Sequence, residues 1–290
     1  MKLKLSFLFL IILLGGWCNL FAQKSPDKTT FQFAFLTDIH LSDHPNNCFE
    51  GLQKAMDSSI AQGAEFIITG GDNANIDVLG KDAETAKKLV AREAEAFSKS
   101  KIPIYPIMGN HDRFFGCENS DPQYNKGLFE SKFGKSYRSF DHKGWHFILL
   151  NTVQGGEKFP CVEAEQLAWI EKDLAGVKAD MPIVVAVHVP FLSVYSPVVN
   201  GKCDNSGTFS NFKQVWDLFK GKNLKLVLQG HQHIYEEIKV MGIQFITAGA
   251  VCGSWWGGPY NETEEGYLMV TVKGNDCDWK YVDYGWEPKK

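Results

Sequence analysis

Short apolar runs rich in β-branched and aromatic residues recur along this chain: Phe31 to Ile39, Glu65 to Thr69, Ile102 to Met108, Trp145 to Asn151, Pro182 to Val189 and Leu224 to Gln229. Runs of this length with no regular polar face predict strands buried on both sides. Amphipathic stretches from Phe49 to Gln62, Asp82 to Lys99, Glu163 to Leu174 and Asn211 to Phe219 predict helices between them. The alternation predicts an α/β sheet protein. Further on, Ile234 to Val240, Ile243 to Ala248, Tyr267 to Val272 and Trp279 to Tyr284 lie close together, with turn residues at Met241-Gly242 and Gly274-Asn275, and predict hairpins. Two polar stretches, Arg113 to Lys126 and Ser193 to Thr208, are too long for simple connections and are expected to be functional loops.

At the start of the chain, Lys2 and Lys4 precede an apolar run that Gly15-Gly16 closes and that ends near Ala22-Gln23. That pattern predicts an export signal over residues 1–23, its apolar part shorter than the roughly 20 residues of a membrane helix. The expectation is one α/β domain over residues 24–290 in a periplasmic or secreted protein. The alternative is a lipid anchor through Cys18, against which the bulky Trp17 argues. No later stretch reads as a membrane span. A formal net charge of −4 disfavours non-specific binding of a nucleic-acid polymer. The cysteines beyond the signal, at 48, 117, 161, 203, 252 and 277, match no zinc spacing and are open to disulfide pairing or to burial as thiols.

Five histidines follow directly on predicted strands, in Thr37-Asp38-Ile39-His40, Gly109-Asn110-His111-Asp112, Val187-His188-Val189-Pro190 and Gly230-His231-Gln232-His233. Asp72, in Gly70-Gly71-Asp72-Asn73, is placed in the same way. In an open α/β sheet the carboxyl ends of the strands converge on one crevice, so five separate segments can deliver polar side chains to one place. Carboxylates, imidazoles and one amide, with no cysteine among them, suit manganese, iron or zinc and disfavour a thiolate site. Glycines beside Asp72, Asn110 and His231 are expected where the backbone turns sharply to aim a side chain.

The ordered set D-x-H, G-D, G-N-H-D, H and G-H-x-H resembles the calcineurin-like metallophosphoesterases over Phe31 to His233. The resemblance implies a four-layer α-β-β-α sandwich of two mixed sheets with a dinuclear site at their edge. It implies two divalent metal ions, one held by Asp38, His40, Asp72 and His233, the other by Asp72, Asn110, His188 and His231, with Asp72 shared. It further implies hydrolysis of a small phosphate ester by a hydroxide between the metals, with His111 stabilising the transition state or protonating the leaving oxygen and Asp112 orienting it. Asn75 stands where purple acid phosphatases carry a tyrosine and protein phosphatases an aspartate, which points to the bacterial cyclic-nucleotide and glycerophosphodiester phosphodiesterases. A phosphomonoesterase or a lipid-headgroup phosphodiesterase is the alternative on the same ligands, and a binding protein without turnover a third.

For the substrate, Trp255 and Trp256 are candidates to wall the cleft, the alternative being that both indoles fill the core. Tyr195 carries the same two readings. His44, in the loop after His40, is a candidate phosphate contact or a solvated loop residue.

Overall fold

A computed structural model of the chain describes residues 30–44, 47–154, 160–204 and 206–288. The expected export segment and Cys18 lie outside the described residues. Among the described residues eleven strands form two sheets. In the first, β1 (Phe31–Leu36), β2 (Ile67–Thr69) and β3 (Ile104–Pro106) run parallel, and β10 (Gly266–Lys273) with β11 (Asp276–Asp283) completes the order β11-β10-β1-β2-β3. The second has the order β4-β5-β6-β7-β9-β8, where β4 is Arg138–His142, β5 Trp145–Leu149, β6 Pro182–Ala186, β7 Asn223–Gln229, β8 Glu236–Val240 and β9 Ile243–Thr247. Here β5, β6, β7 and β9 are parallel and the edge strands antiparallel.

Side-chain alternation along the strands builds the layers. Phe31, Phe33 and Phe35 of β1, Leu268 and Val270 of β10, Phe147 and Leu149 of β5, and Leu226 and Leu228 of β7 meet in one apolar layer between the sheets. The intervening residues face outward: Ala34, Leu36 and Met269 pack beneath α1 (Cys48–Ala61) and α2 (Ala83–Ser98). Ile148, Val185 and Val227 pack beneath α4 (Ala164–Gly176) and α6 (Phe212–Leu218), with α3 (Gly127–Phe133) alongside. Full burial of each such side chain contributes about 1.5–3 kcal/mol, which is why these runs show no polar face. The result is the expected four-layer sandwich of two mixed sheets.

Every predicted strand and helix is present, with ends shifted by a few residues. The hairpins β8–β9 and β10–β11 turn at Met241-Gly242 and Gly274-Asn275, as expected, but belong to different sheets. Strand β4 escapes the hydrophobic pattern because Arg-Ser-Phe-Asp-His pairs along one edge only and is half-exposed. The stretch expected as one irregular loop after Ser193 contains a short helix, α5 (Tyr195–Val199). All six cysteines among the described residues are free, and among those residues no helix is long and apolar enough to cross a membrane.

His146 on β5 joins the second sheet to α4. It lies 2.6 Å from the Asp141 carboxylate and 2.8 Å from that of Asp173. Burial opposes its protonation, but the two carboxylates outweigh burial and raise its pKa above the ordinary value. A pKa raised by folding gives stability that is complete below the unfolded value, about 6.5, and is lost as pH rises through the folded one. In urea denaturation, His146→Gln should therefore lower stability most below about pH 6 and progressively less in alkaline solution.

Candidate metal centre

Five of the parallel strands end at one place on the molecule's edge. Asp38 and His40 follow β1, Asp72 follows β2, Asn110 and His111 follow β3, His188 follows β6, and His231 and His233 follow β7. Beyond the last strand pairs the backbones stay interlocked, with the amide of Asp38 donating to Gly71 O and that of His40 to Asp72 O. Asp38, His40, Asp72, His231 and His233 all have left-handed backbones, with φ of 54°, 51°, 49°, 75° and 57°. Each costs about 1–2 kcal/mol, and such strain persists only where the surroundings impose it.

The neighbouring glycines serve close approach as much as turning. Gly71 has φ +88°, and a Cβ there would stand 2.7 Å from His188 Nδ1. At Gly109 a Cβ would come within 2.0 Å of the Asp72 amide nitrogen. The sharp turn expected from the glycines is instead made largely by the aspartates and histidines themselves.

All seven candidate ligands converge. His233 Nε2 is 3.4 Å from Asp38 Oδ1, and His40 Nε2 is 3.7 Å from Asp72 Oδ2. On the other side of Asp72, His188 Nε2 lies 3.1 Å from Oδ2 and 3.1 Å from Asn110 Oδ1. The ligand atoms of Asp72, His188 and His231 all fall within 4.8 Å of one another. Asp72 thus sits between two groups, Asp38-His40-His233 and Asn110-His188-His231.

Hydrogen bonds behind the rings fix their tautomers. His40 Nδ1 donates to Asn75 Oδ1 at 2.6 Å, His188 Nδ1 to Gly70 O at 2.8 Å, and His233 Nδ1 to Gly253 O at 2.8 Å. In each ring Nε2 is the nitrogen turned to the centre, the arrangement found behind metal-bound histidines. His40 Nε2 and His233 Nε2 are only 3.0 Å apart, a separation two lone pairs keep only with a shared cation, a proton or a metal ion, between them.

The charges agree. Burial acts to raise the Asp38 carboxyl, yet His233 and its neighbours hold it down at about 2. Asp72 is held well below the carboxylate range against the same effect, chiefly by His188. Burial lowers His40 and His231 to about 4, whereas Asp72 overcomes burial and lifts His188 to about 9. Asp38 likewise lifts His233. Two buried carboxylates among imidazoles that bind metal as neutral rings, releasing any proton they hold, make a donor set that fits two cations of the harder, nitrogen- and oxygen-preferring kind.

His111 is oriented by Asp77, a residue absent from the sequence expectations, rather than by Asp112. His111 Nδ1 lies 2.7 Å from Asp77 Oδ1, and the amides of Ile76 and Asp77 both donate to His111 O. Asp112 faces inward: it accepts from the amides of Gly109 at 2.7 Å and Ala74 at 2.9 Å and from Asn73 Nδ2 at 3.2 Å. It is a strut under the loop, because its position on the chain points it at the backbone of β2's extension. Asp77 carries no local pattern that would reveal it.

Beside the centre a cleft of about 270 Å³ is lined by Asp77, Asn110, His111, Arg113, Val153, Pro160, Val189 and His231. On the opposite side Trp255, 48% exposed, has its ring 4.6 Å from His233 and 5.5 Å from His40. Trp256 belongs to the core instead: it is 4% exposed, donates from Nε1 to His40 O and packs edge-on to Trp286. Tyr195 meets Tyr260 through their hydroxyls at 2.9 Å. His44 lines a separate hollow with Ser42, Asp43 and Asn75. Cys252 was outside the expected set, yet its sulfur lies within 4.8 Å of ring nitrogens of His40 and His233; burial raises its pKa.

The pattern of the family described as Calcineurin-like phosphoesterase matches residues 31–235. The chain belongs to that family. Among curated relatives of this family member, purple acid phosphatase 15 of Arabidopsis thaliana is 29% identical over 47% of this chain and 25% of its own length. A probable cyclic nucleotide phosphodiesterase of Xenorhabdus bovienii is 24% identical over 58% of this chain and 61% of its own. The chain thus spans less than two thirds of both. Among solved structures, a dimetal phosphatase from Danio rerio superposes with a TM-score of 0.63 at 12% identity, covering 87% of this chain and 95% of that one; this likeness shows the fold.

Replacing Asp112 by Asn keeps the volume but turns one acceptor oxygen into an amide N–H group, so the buried amide of either Gly109 or Ala74 loses its partner. Leaving a buried donor unpaired costs about 1–3 kcal/mol. Asp112→Asn should lose about that much stability in urea denaturation, and a variant as stable as the parent would show that Asp112 is not a strut.

Proposed function

We propose that this chain hydrolyses phosphodiesters with two divalent metal ions held by Asp38, His40, Asp72, His233 and by Asp72, Asn110, His188, His231. The observation that carries the reading is the 3.0 Å approach of His40 Nε2 to His233 Nε2, with both Nδ1 atoms already committed to oxygens behind the rings. When bound, such ions polarise phosphoryl oxygens and acidify a water toward neutral pH.

The chain's own residues supply the rest. The Asp77 carboxylate fixes the proton on His111 Nδ1, leaving Nε2 for the substrate side. Burial works against protonation of His111, but the Asp77 hydrogen bond and the Asp72 charge prevail and raise its pKa, which favours the protonated ring that a departing oxygen requires. Arg113, whose Nε donates to Asn110 O at 2.8 Å, adds positive charge to the same wall. The cleft's modest volume suits a small ester. Diester cleavage is favoured over the purple acid phosphatase chemistry of one relative because Asn75, bonded to His40, cannot supply a tyrosinate ligand. A phosphomonoesterase is the second reading, and Arg113 beside the cleft favours it.

Metal analysis of manganese-loaded protein should find two ions per chain, and that protein should cleave bis-p-nitrophenyl phosphate. His111→Ala should lower kcat by about 10²–10⁴-fold, and Asp77→Asn, acting through His111, by about 10–100-fold. Asp72→Asn should abolish turnover together with metal retention. If fully loaded protein cleaves neither diesters nor monoesters, the hydrolytic reading is wrong. Faster turnover of p-nitrophenyl phosphate than of the diester would establish the second reading.

A further inference from the structure

We infer that Trp255 is a stacking platform for a flat, uncharged ring, such as a nucleobase, carried by the phosphate ester. The inference rests on the phosphoesterase reading and names the organic group that the site takes. Trp255 follows β9, so it is delivered by the same carboxyl edge as the ligands. Trp255 and Trp256 both have left-handed backbones, φ 50° and 70°, a conformation disfavoured for bulky side chains. Trp256 holds the pair there: its amide donates to Cys252 O at 2.7 Å, and its ring lies so close over Gly51 that a Cβ on that glycine would fall 2.0 Å from it. With Trp256 locked inward, Trp255 is turned out over His40 and His233. A strained, half-exposed indole set against a polar cluster is poorly explained by packing, since burial would have stabilised it more.

The platform has an aromatic corner. Tyr260 stands edge-on to Trp255 at 5.9 Å and 88°, and its hydroxyl meets that of Tyr195, across from the loop after His188. One indole face is covered by His233 at an interplanar angle of 31°, while the residue as a whole remains 48% exposed. An open indole surface with a single perpendicular neighbour suits stacking of a planar ring better than enclosure of a rounded cation, which requires several walls. Charge points the same way. A cationic headgroup placed beside His40 and His233 would be repelled by any metal ions bound there, whereas an uncharged ring would not.

The test is equilibrium binding to manganese-loaded protein by calorimetry, with adenosine 5′-monophosphate, ribose 5-phosphate and phosphocholine as probes. Parent protein should bind the nucleotide more tightly than the sugar phosphate. Base–aromatic stacking is worth about 5- to 150-fold in affinity, so Trp255→Ala should remove most of that preference and Trp255→Phe should keep part of it. Equal losses for the nucleotide and the sugar phosphate, or no preference in the parent, would overturn the inference. So would a loss confined to phosphocholine, which would assign the corner to a cationic headgroup. Because binding is read apart from turnover, a failure of hydrolysis counts against the proposed function and leaves this inference to be judged on the affinity ratio.

Discussion

Two carboxylates, Asp38 and Asp72, are buried where the two sheets come together, and the surrounding structure is organised around their charge. An unpaired buried carboxylate costs several kcal/mol. Each of these is met from several directions: Thr37 Oγ1 and the His231 amide donate to Asp38, and the His111 amide donates to Asp72 at 2.7 Å beside the His188 ring. The donors come from different strand ends, so the same contacts that neutralise the carboxylates tie β1 to β7 and β2 to β3 and β6. The apolar layer between the sheets sets their separation. The polar joint fixes how their ends are aligned.

That joint explains the local departures from regular structure. Side chains can reach a common centre from strands in two sheets only if the chain turns at once after each strand, and five of the centre's residues do so in left-handed backbone. Glycines stand where a Cβ would displace a ligand. Aspartate and histidine tolerate the left-handed region better than branched residues, so the residue types that suit the chemistry also suit the backbone. The strain is local, and the aromatic layer below it supplies the stability that offsets it.

The fold was legible because buried parallel strands appear as uninterrupted apolar runs, and the seven candidate ligands because each follows such a run. Strand β4 was hidden because an edge strand with one exposed flank lacks both signals. Asp77 could not be found: its role depends on a backbone turn that brings it to His111, and nothing in its neighbours' chemistry announces that turn. Asp112 misled because adjacency in sequence suggests contact, whereas consecutive residues leaving a strand point different ways. The Trp255-Trp256 pair was ambiguous for the same reason, and only the space above Gly51 decides which indole is inside.

The residues behind the candidate ligands matter as much as the ligands themselves. Position 75 is the clearest case. Asn75 Oδ1 accepts the proton of His40 Nδ1 at 2.6 Å, and the backbone N–H of Asn75 donates to Leu41 O at 2.8 Å, so the backbone is pinned to the loop after β1 while the side chain is directed at the imidazole. A hydrogen bond of this kind fixes which nitrogen faces the metal and raises its basicity. A side chain that entered the centre at this position would add a ligand and remove the support of His40 in one substitution. Residue 75 therefore acts in this chain as a support for His40 and not as one of the seven donors.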